Sequence, residues 1–198
     1  MRNTIIVTGG AGFVGSNLIN FLIKKTKYKI LSIDNYSSGS SKNHIKNRRV
    51  NYLRSDTKNI AKLKFNPKKI KTVFHFGEFA RIYQSFLKMN ECLNSNMIGT
   101  NAVFNYCLEN NIKLVYSATS ASLGNKGNDK NLSPYAFTKA KNLELLQNLK
   151  KWFKFKFEVI YFYNVYGPKQ IKSGPMATVI GIFEDLYLKK KPLTVVKP

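Results

Sequence analysis

The chain has 198 residues, enough to bury the core of one domain, and 43% of them are hydrophobic, as in a globular rather than a disordered protein. No apolar run approaches the ~20 residues that span a bilayer, and no cleavable leader is expected at the N-terminus. The formal charge of +23 would suit a nucleic-acid binder, but only five of the 33 basic residues are Arg and the lysines are scattered. We therefore expect neither a nucleic-acid partner nor a membrane partner.

The two cysteines, Cys92 and Cys107, lack the spacing of metal ligands, so no metal site is expected. Their simplest interpretation is that they are reduced, buried and part of a cytoplasmic protein.

A strand, a glycine turn and a helix are predicted at the start of the chain. The apolar run Ile5 to Val7 leads into three glycines spaced G-x-x-G-x-x-G, and an apolar-periodic segment follows at once. A tight turn needs residues without a Cβ, and the helix that follows offers free N–H groups to an anion. We expect a dinucleotide phosphate to bind here, at Gly9, Gly12, Phe13, Val14 and Gly15.

A second strand, Lys29 to Ile33, ends at Asp34, which lies 19 residues after Gly15. An acid about 20 residues after the glycine turn accepts hydrogen bonds from a ribose diol and repels a 2′-phosphate, which favours NAD over NADP. An ordinary strand-end Asp is the alternative. Asn35 follows it, and Asp56 lies just beyond a third predicted strand; both are expected near the adenosine half of the cofactor.

A fourth strand is predicted from Thr72 to Phe76, nearly all apolar as a parallel strand covered on both faces should be. His75 inside it is expected to be a packed core residue rather than a catalyst. The segment from Gly77 to Ser85 is predicted as a loop at the carboxyl end of this strand, where ligands bind in open α/β sheets. Phe76 and Gly77 are therefore candidate cofactor contacts.

The remaining pattern alternates helices and strands. We predict the following elements in order: helix Met97–Asn110, strand Lys113–Ser117, helix Tyr135 to about Phe153, strand Phe157–Tyr163 and helix Ala177–Leu188. Alternation of this kind predicts an α/β fold, a Rossmann-like doubly wound parallel sheet with helices on both faces.

Three side chains follow carboxyl ends of these strands and carry a possible chemistry. Thr119 comes after the fifth strand, and Tyr135 and Lys139 lie four apart on one face of the next helix. A neutral phenol is a poor base near neutral pH, but a neighbouring ammonium and a positively charged nicotinamide favour the phenolate. Tyr135 would take a hydroxyl proton while hydride leaves the same carbon, and Thr119 would bind the reacting oxygen.

The sequence at this point resembles the extended short-chain dehydrogenase/reductase family, and within it the nucleotide-sugar epimerases, with UDP-glucose 4-epimerases as the closest likeness. The matching segments are Thr8–Gly15, Asp34–Gly39, Val73–Phe76, Asn96–Thr100, the Thr119 segment, Tyr135–Lys139 and Asn164–Pro168. The resemblance implies that Tyr135 is the base, that Lys139 is its activator and a ribose ligand, and that Thr119 is the hydroxyl partner. It also implies that Asn96 lies near the cofactor and that Asn164 contacts the sugar nucleotide.

The implied reaction is NAD-dependent epimerisation at C4 of a nucleotide-activated hexose of the UDP-glucose/UDP-galactose type. Related dehydratases and decarboxylases carry a carboxylate one or two residues after the Thr, where this chain has Ser120 and Ala121, so elimination is disfavoured. Leu123, Tyr161 and Glu78 depart from the family pattern and bear on the identity of the substrate. A nucleotide-sugar dehydratase or reductase on the same scaffold is the nearest alternative.

The resemblance runs to the end of the sequence, before the family's substrate domain is complete. We therefore expect a NAD-binding domain over 1–168 and the start of a substrate-binding lobe over 169–198, so that the C-terminal lobe is incomplete. A non-catalytic NAD-binding remnant is the alternative from a different class. Family members commonly pair through the two helices that Met97–Asn110 and Tyr135–Phe153 resemble, so a homodimer is possible.

Overall fold

Residues 2–120 and 131–194 are described by the computed structural model of the chain. Within them six parallel strands form one sheet, in the order β3-β2-β1-β4-β5-β6. The strands are β1 (Thr4–Thr8), β2 (Lys29–Asp34), β3 (Val50–Arg54), β4 (Ile70–His75), β5 (Lys113–Thr119) and β6 (Phe157–Phe162). The order reverses direction between β1 and β4, which creates the crevice where ligands bind in sheets of this type.

The helices are α1 (Phe13–Lys25), α2 (Ile82–Leu87), α3 (Met89–Leu93), α4 (Thr100–Glu109), α5 (Pro134–Phe153) and α6 (Val179–Leu188). A π-helical segment, Asn94–Gly99, joins α3 to α4, and 3₁₀ turns cover Ser41–Asn43, Thr57–Lys62 and Pro67–Lys69. Every predicted strand and helix is present within one to three residues of its expected bounds.

Both faces of the sheet are covered, because alternate residues of a strand point to opposite sides. In β1, Ile5 and Val7 pack with Ile19 and Leu22 of α1 on one face. Ile6 points to the other face, into a larger core that includes Val103, Phe104, Leu114, Tyr116, Leu146 and Leu149. The doubly wound arrangement predicted from the sequence is confirmed.

Three local details differ from the sequence-based expectation. The expected loop from Gly77 to Ser85 already contains the first turn of α2, which begins at Ile82. The expected helix from Met97 begins as a π-helical segment at Asn94. Phe76, expected as the last residue of the fourth strand, lies just after β4, which ends at His75.

Among the described residues, no helix is both long enough and apolar enough to cross a membrane. His75 is fully buried, as the sequence predicts for a core histidine. Cys92 and Cys107 are also buried, and both are free thiols.

Candidate functional site

The glycine turn between β1 and α1 leaves no room for side chains. Gly9 has a φ of 71°, and a Cβ there would lie 2.7 Å from the carbonyl oxygen of Phe76. A Cβ on Gly15 would lie 2.2 Å from the carbonyl oxygen of Gly9. The helix α1 then begins at its N-cap, Gly12, without a side-chain cap and without an acid in its first turn. This end of α1 suits an anion, because no carboxylate competes for its N–H groups.

Asp34 joins the end of β2 to the glycine turn. Its Oδ2 accepts a hydrogen bond from the Ala11 backbone N–H at 2.9 Å, and its Oδ1 accepts one from the Tyr36 N–H at 2.8 Å. Each carboxylate oxygen can still accept a further hydrogen bond. Next to it, Asn35 Nδ2 donates to Asp56 Oδ2 at 3.3 Å, so the two polar residues expected at the adenosine end are in contact.

An open cleft lies along these residues. Its lining includes six predicted cofactor contacts: Gly9, Gly12, Asp34, Asn35, Phe76 and Gly77. Ser37, Ser38, Ser55, Thr57, Glu78 and Ser95 also line it, and the sequence did not single out the five hydroxyl residues among them. Phe13, Val14 and Gly15 are the first residues of α1 and are not among the residues that line the cleft.

The predicted reacting residues lie at the ends of β5 and of α5. Thr119 is the last residue of β5 and is 9% exposed. Ser133 caps α5 by accepting a hydrogen bond from the Ala136 N–H at 3.0 Å, which places Tyr135 in the first helical turn. Tyr135 is half-buried, and its N–H donates to Ser85 Oγ of α2 at 3.2 Å. Lys139 follows one turn later and is buried.

The ammonium group of Lys139 forms an ion pair with Glu78. Its Nζ donates to Glu78 Oε2, and it also donates to the Ser117 carbonyl oxygen at 2.5 Å and to Ser117 Oγ at 3.3 Å. The side chains of Lys139 and Glu78 are only 4% and 2% exposed. The residue that departs from the family pattern in the loop after β4 is therefore the direct partner of the predicted catalytic lysine.

Three other groups donate to Glu78 Oε1: Thr100 Oγ1 at 2.9 Å, the Tyr116 hydroxyl at 3.0 Å and Asn142 Nδ2 at 3.4 Å. Burial and the nearby carboxylate raise the pKa of Tyr116 well above its usual range, so its hydroxyl stays protonated and donates. Both oxygens of this buried carboxylate accept hydrogen bonds, and these bonds offset the free-energy cost of removing its charge from water.

Asn96 links the loop after β4 to α5. Its Oδ1 accepts from the Phe79 N–H at 2.7 Å, its Nδ2 donates to the Phe79 carbonyl oxygen at 3.0 Å, and Nδ2 also contacts Thr138 Oγ1 at 3.2 Å. The side chain is thus fully engaged with the protein, and Asn96 shapes the loop that borders the cleft.

The segment after β6 crosses the same edge of the sheet. The Pro168 carbonyl oxygen accepts from Asn17 Nδ2 at 2.8 Å, and Lys169 Nζ donates to the Asn43 carbonyl oxygen at 2.8 Å. Asn164, the predicted substrate contact, is exposed beside this segment. Ala121, Leu123 and the loop to Lys130 lie outside the described residues, so the comparison with dehydratases at Ala121 stays a prediction.

A further side chain, Arg81, was not predicted from the sequence. Its Nε donates to the Met176 carbonyl oxygen at 2.8 Å, and a second nitrogen of the guanidinium donates to the same atom. Burial lowers the pKa of this guanidinium, and a Coulombic interaction with Tyr135 opposes that shift. The signal that could have found it is its rarity, since Arg81 is one of five arginines and stands in the loop after β4.

With this geometry in place, comparison with known proteins identifies the family. A model described as "NAD dependent epimerase/dehydratase family" matches residues 5–197. The chain belongs to this family. The family's dependence on NAD agrees with the cofactor expected from Asp34, and the nucleotide-sugar resemblance is confirmed at the level of the family.

The curated relatives of this epimerase/dehydratase chain have several substrates. It is 33% identical to an ADP-L-glycero-D-manno-heptose-6-epimerase of Brachyspira hyodysenteriae, over 88% of this chain and 58% of that protein. It is 28% identical to a dTDP-D-glucose 4,6-dehydratase of Dictyostelium discoideum, over 96% of this chain and 49% of that protein. The chain thus spans about half to two thirds of the length of these relatives.

Solved structures share the fold. A UDP-N-acetylglucosamine 4-epimerase of Methanobrevibacter ruminantium, in complex with UDP-N-acetylmuramic acid, matches with a TM-score of 0.84 at 27% identity, over 96% of this chain and 64% of that one. A UDP-glucose 4-epimerase of Thermus thermophilus, in complex with NAD, matches with a TM-score of 0.83 at 26% identity, over 97% of this chain and 65% of that one. These matches establish the Rossmann-like architecture independently of the sequence patterns.

Proposed function

We propose that this chain binds NAD in the cleft between Asp34 and Gly77 and that it epimerises a nucleotide-activated hexose at C4, in the cytoplasm. The observation that carries the proposal is the joining of the glycine turn to Asp34, through the hydrogen bond from the Ala11 N–H to Oδ2. This contact brings an anion site and a diol acceptor together along one cleft. A dinucleotide needs both.

Bound NAD supplies an acceptor and donor of hydride. Tyr135 takes the proton of the reacting hydroxyl and later returns it, while Thr119 holds the oxygen. Asn164 contacts the sugar nucleotide. Lys139 supports Tyr135 from the next helical turn, and its effect depends on Glu78, which shares its ammonium group.

Epimerisation is favoured over elimination by the state of Glu78. Elimination of water needs a carboxylic acid or carboxylate that can exchange protons with the sugar. Glu78 is 2% exposed and is bound by Lys139, Thr100 and Tyr116, so it is not placed to exchange protons with a ligand. A dehydratase stays the alternative because one curated relative has that name.

The cofactor step is tested by melting the purified chain with NAD and with NADP. A ligand at about 100 times its Kd stabilises a folded protein by about 2.7 kcal/mol, so NAD should raise the melting temperature by several degrees. NADP should raise it less, and the Asp34→Asn variant should lose this preference. Glu158→Gln, which removes an exposed acid on β6, is the matched control and should keep it. Equal shifts with the two nucleotides in the parent chain would argue against the role of Asp34.

The sugar step is tested by product analysis with UDP-galactose, UDP-glucose and dTDP-glucose. We expect the 4-epimer and no dehydrated product. Tyr135→Phe should abolish turnover while it leaves the NAD-dependent rise in melting temperature intact. A 4-keto-6-deoxy product would identify the dehydratase alternative, and NAD binding without any product would support a non-catalytic module.

A further inference from the structure

The fold gathers basic residues that are scattered along the sequence. Because all six strands are parallel, the segments that lead into them lie along one edge of the sheet, its amino edge. Backbone hydrogen bonds join neighbouring segments there: the Lys29 N–H donates to the Asn3 carbonyl oxygen at 3.0 Å, and the Ile30 N–H donates to the Arg49 carbonyl oxygen at 2.7 Å. Six segments at the strand starts contain no acidic residue: 2–4, 26–30, 48–50, 66–71, 111–113 and 154–157. They contain eleven basic residues: Arg2, Lys27, Lys29, Arg48, Arg49, Lys68, Lys69, Lys71, Lys113, Lys154 and Lys156.

These charges face the solvent and are largely uncompensated. Ten of the eleven side chains are exposed, and Arg49 is half-buried. Among the described residues, one salt bridge involves this set, that of Lys113 with Glu158 at 3.2 Å. The helices before β2 and β6 end at the same edge, and their last turns add four lysines: Lys24, Lys25, Lys150 and Lys151.

The opposite edge of the sheet has a balanced charge. The residues that end or directly follow β1 to β4, along the cleft, include three acids and two arginines: Asp34, Asp56, Glu78, Arg54 and Arg81. A strand rises about 3.3 Å per residue, so strands of five to seven residues separate the two edges by about 20 Å. The molecule is therefore polarised, with its positive charge concentrated at the edge that lies away from the cleft.

An exposed aromatic pair stands within the amino edge, at the end of α5. Trp152 and Phe153 are 63% and 59% exposed, and their ring centroids lie 6.3 Å apart. Lys154 follows in the left-handed conformation, with a φ of 55°, and the next residue, Phe155, is buried in the core. This turn fixes the chain while it leaves the two aromatic side chains outside the core. Lysines flank the pair closely in the sequence: Lys150, Lys151, Lys154 and Lys156.

We propose that the amino edge binds the surface of an anionic lipid membrane, with Trp152 and Phe153 inserted among the headgroups and the surrounding basic side chains on lipid phosphates. Anionic headgroups attract clusters of basic residues, and tryptophan favours the boundary between headgroups and acyl chains. An aromatic pair inside a basic cluster offers both interactions at one place. The expectation of no membrane partner rested on the absence of a spanning segment, and attachment to a surface needs no such segment.

The same features favour lipid over nucleic acid. Eight of the eleven basic residues at the strand starts, and all four at the helix ends, are lysines. An ammonium group is a hydrated point charge, whereas nucleic-acid recognition favours the planar guanidinium. The planes of Trp152 and Phe153 meet at 84°, so the pair does not offer parallel faces to successive bases. Attachment through the amino edge also leaves the cleft open to solution.

The test uses the fluorescence of Trp152, which is the one tryptophan of the chain. The purified chain is mixed with vesicles of phosphatidylcholine that contain about one third phosphatidylglycerol, and vesicles of phosphatidylcholine alone are the lipid control. With the anionic vesicles we expect the chain to sediment and its emission to shift to shorter wavelength, because the indole leaves water. Raising sodium chloride from about 0.15 M to about 1 M shortens the screening length from about 8 Å to about 3 Å and should release most of the chain.

Two triple variants, each with three exposed lysines changed to Gln, test the position of the charge. The first changes the lysines around the aromatic pair: Lys150→Gln, Lys151→Gln and Lys156→Gln. Its partition onto anionic vesicles should be weaker by about 100-fold, since each basic residue near such a surface contributes about fivefold. The matched control changes lysines that follow the carboxyl ends of β2 and β3: Lys42→Gln, Lys46→Gln and Lys58→Gln. Its partition should change less than about fivefold.

A further variant tests the aromatic pair. Phe153→Ser retains the fluorescent residue and should weaken partition by about tenfold, as expected when a buried aromatic side chain is lost from an apolar environment. An unchanged partition in this variant would overturn the insertion of the pair.

Three other results would overturn the inference: no sedimentation with anionic vesicles, equal losses in the two triple variants, or binding to an RNA or DNA duplex without binding to vesicles. A shift of the Trp152 emission with protein concentration alone would also overturn it and assign the pair to a contact between copies of the chain. The inference is independent of the proposed function, because Tyr135→Phe should bind vesicles as the parent chain does. Failure of the proposed function would instead appear as a missing NAD effect on the melting temperature.

Discussion

Thr8 has one hydroxyl proton, and its neighbours determine where that proton goes. The N–H groups of Phe76 and Gly77 both donate to Thr8 Oγ1, at 3.1 and 3.0 Å, and occupy its two acceptor positions. The proton must therefore point to His75 Nδ1, 2.7 Å away. His75 is thus a neutral imidazole with its proton on Nε2, which donates to Thr100 Oγ1 at 2.9 Å.

This arrangement makes His75 a source of acid sensitivity. Burial lowers the pKa of His75 from 6.5 to about 4; Lys139 acts in the same direction, and Glu78 opposes both. Below pH 6.5 the unfolded chain takes up a proton that the folded chain does not, so stability falls with pH down to about 4. Above pH 6.5 the buried, neutral His75 costs no stability. At about pH 4 it has lowered the free energy of unfolding by about 3 kcal/mol. Urea unfolding at a series of pH values measures it.

Two variants separate His75 from the carboxylates that also titrate in this range. His75→Gln keeps an acceptor and a donor but has no titrating group, so its stability should depend less on pH than that of the parent chain. His44→Gln, which removes a half-buried histidine that contacts the Tyr36 hydroxyl at 2.9 Å, is the matched control. The same slope in His75→Gln and in the parent would contradict the assignment.

The sequence predicted individual residues better than their partners. Asp34 and Gly15 follow from spacing, because the glycine turn and the strand after it are local. The Glu78–Lys139 pair joins residues 61 apart and depends on how β4 and α5 pack, which no local pattern contains. Glu78 could be marked as unusual from the sequence, but its partner could not be named.

At the scale of elements, the sequence did not predict α2, because this helix exposes its apolar side chains and buries a polar one. Its large apolar residues, Ile82, Tyr83, Phe86 and Leu87, are 52% to 71% exposed, whereas its fully buried residue is Ser85. An amphipathic pattern places apolar residues inside, so a helix that buries a serine gives no such signal. The buried serine has a use here, since its Oγ accepts a hydrogen bond from Tyr135.

The π-helical segment Asn94–Gly99 is equally invisible to helical periodicity, which assumes 3.6 residues per turn. The segment packs tightly against the 3₁₀ turn Thr57–Lys62, since a Cβ on Gly99 would lie 2.4 Å from Thr57 Oγ1. Within this segment the Asn96 amide forms hydrogen bonds with Phe79 on one side and with Thr138 on the other.

The first turn of α5 depends on one cap, which gives a prediction at this scale. Ser133 is 4% exposed, and its Oγ accepts the Ala136 N–H at 3.0 Å. Ser133→Ala should lower the free energy of unfolding by about 1 kcal/mol, the usual cost of losing an N-cap. The midpoint of urea unfolding measures the loss. Ser133→Thr, which keeps the hydroxyl, should lose less, and equal losses in the two variants would mean that packing rather than capping determines the effect.

At the scale of the whole molecule, the chain carries a large excess of positive charge, +23 at pH 7. The chain has 33 basic and ten acidic residues, so basic side chains outnumber acidic ones by about three to one. The ion pairs at the surface, such as Lys113–Glu158 and Lys141–Glu144, are solvent-exposed and contribute little each. Self-repulsion among like charges destabilises the compact state.

Salt should therefore stabilise this protein. The screening length falls from about 30 Å at 0.01 M salt to about 8 Å at 0.15 M, which weakens repulsion between distant lysines more than it weakens attraction within close pairs. We expect the melting temperature to rise by several degrees over that range of sodium chloride. Sodium chloride is used because sulfate also stabilises proteins by exclusion from their surface. A variant with the exposed Lys46, Lys62 and Lys64 changed to Gln should be more stable at low salt and should respond less to added salt. A melting temperature that falls with salt would mean that the surface ion pairs outweigh the repulsion, and that the lysines are distributed to support the fold.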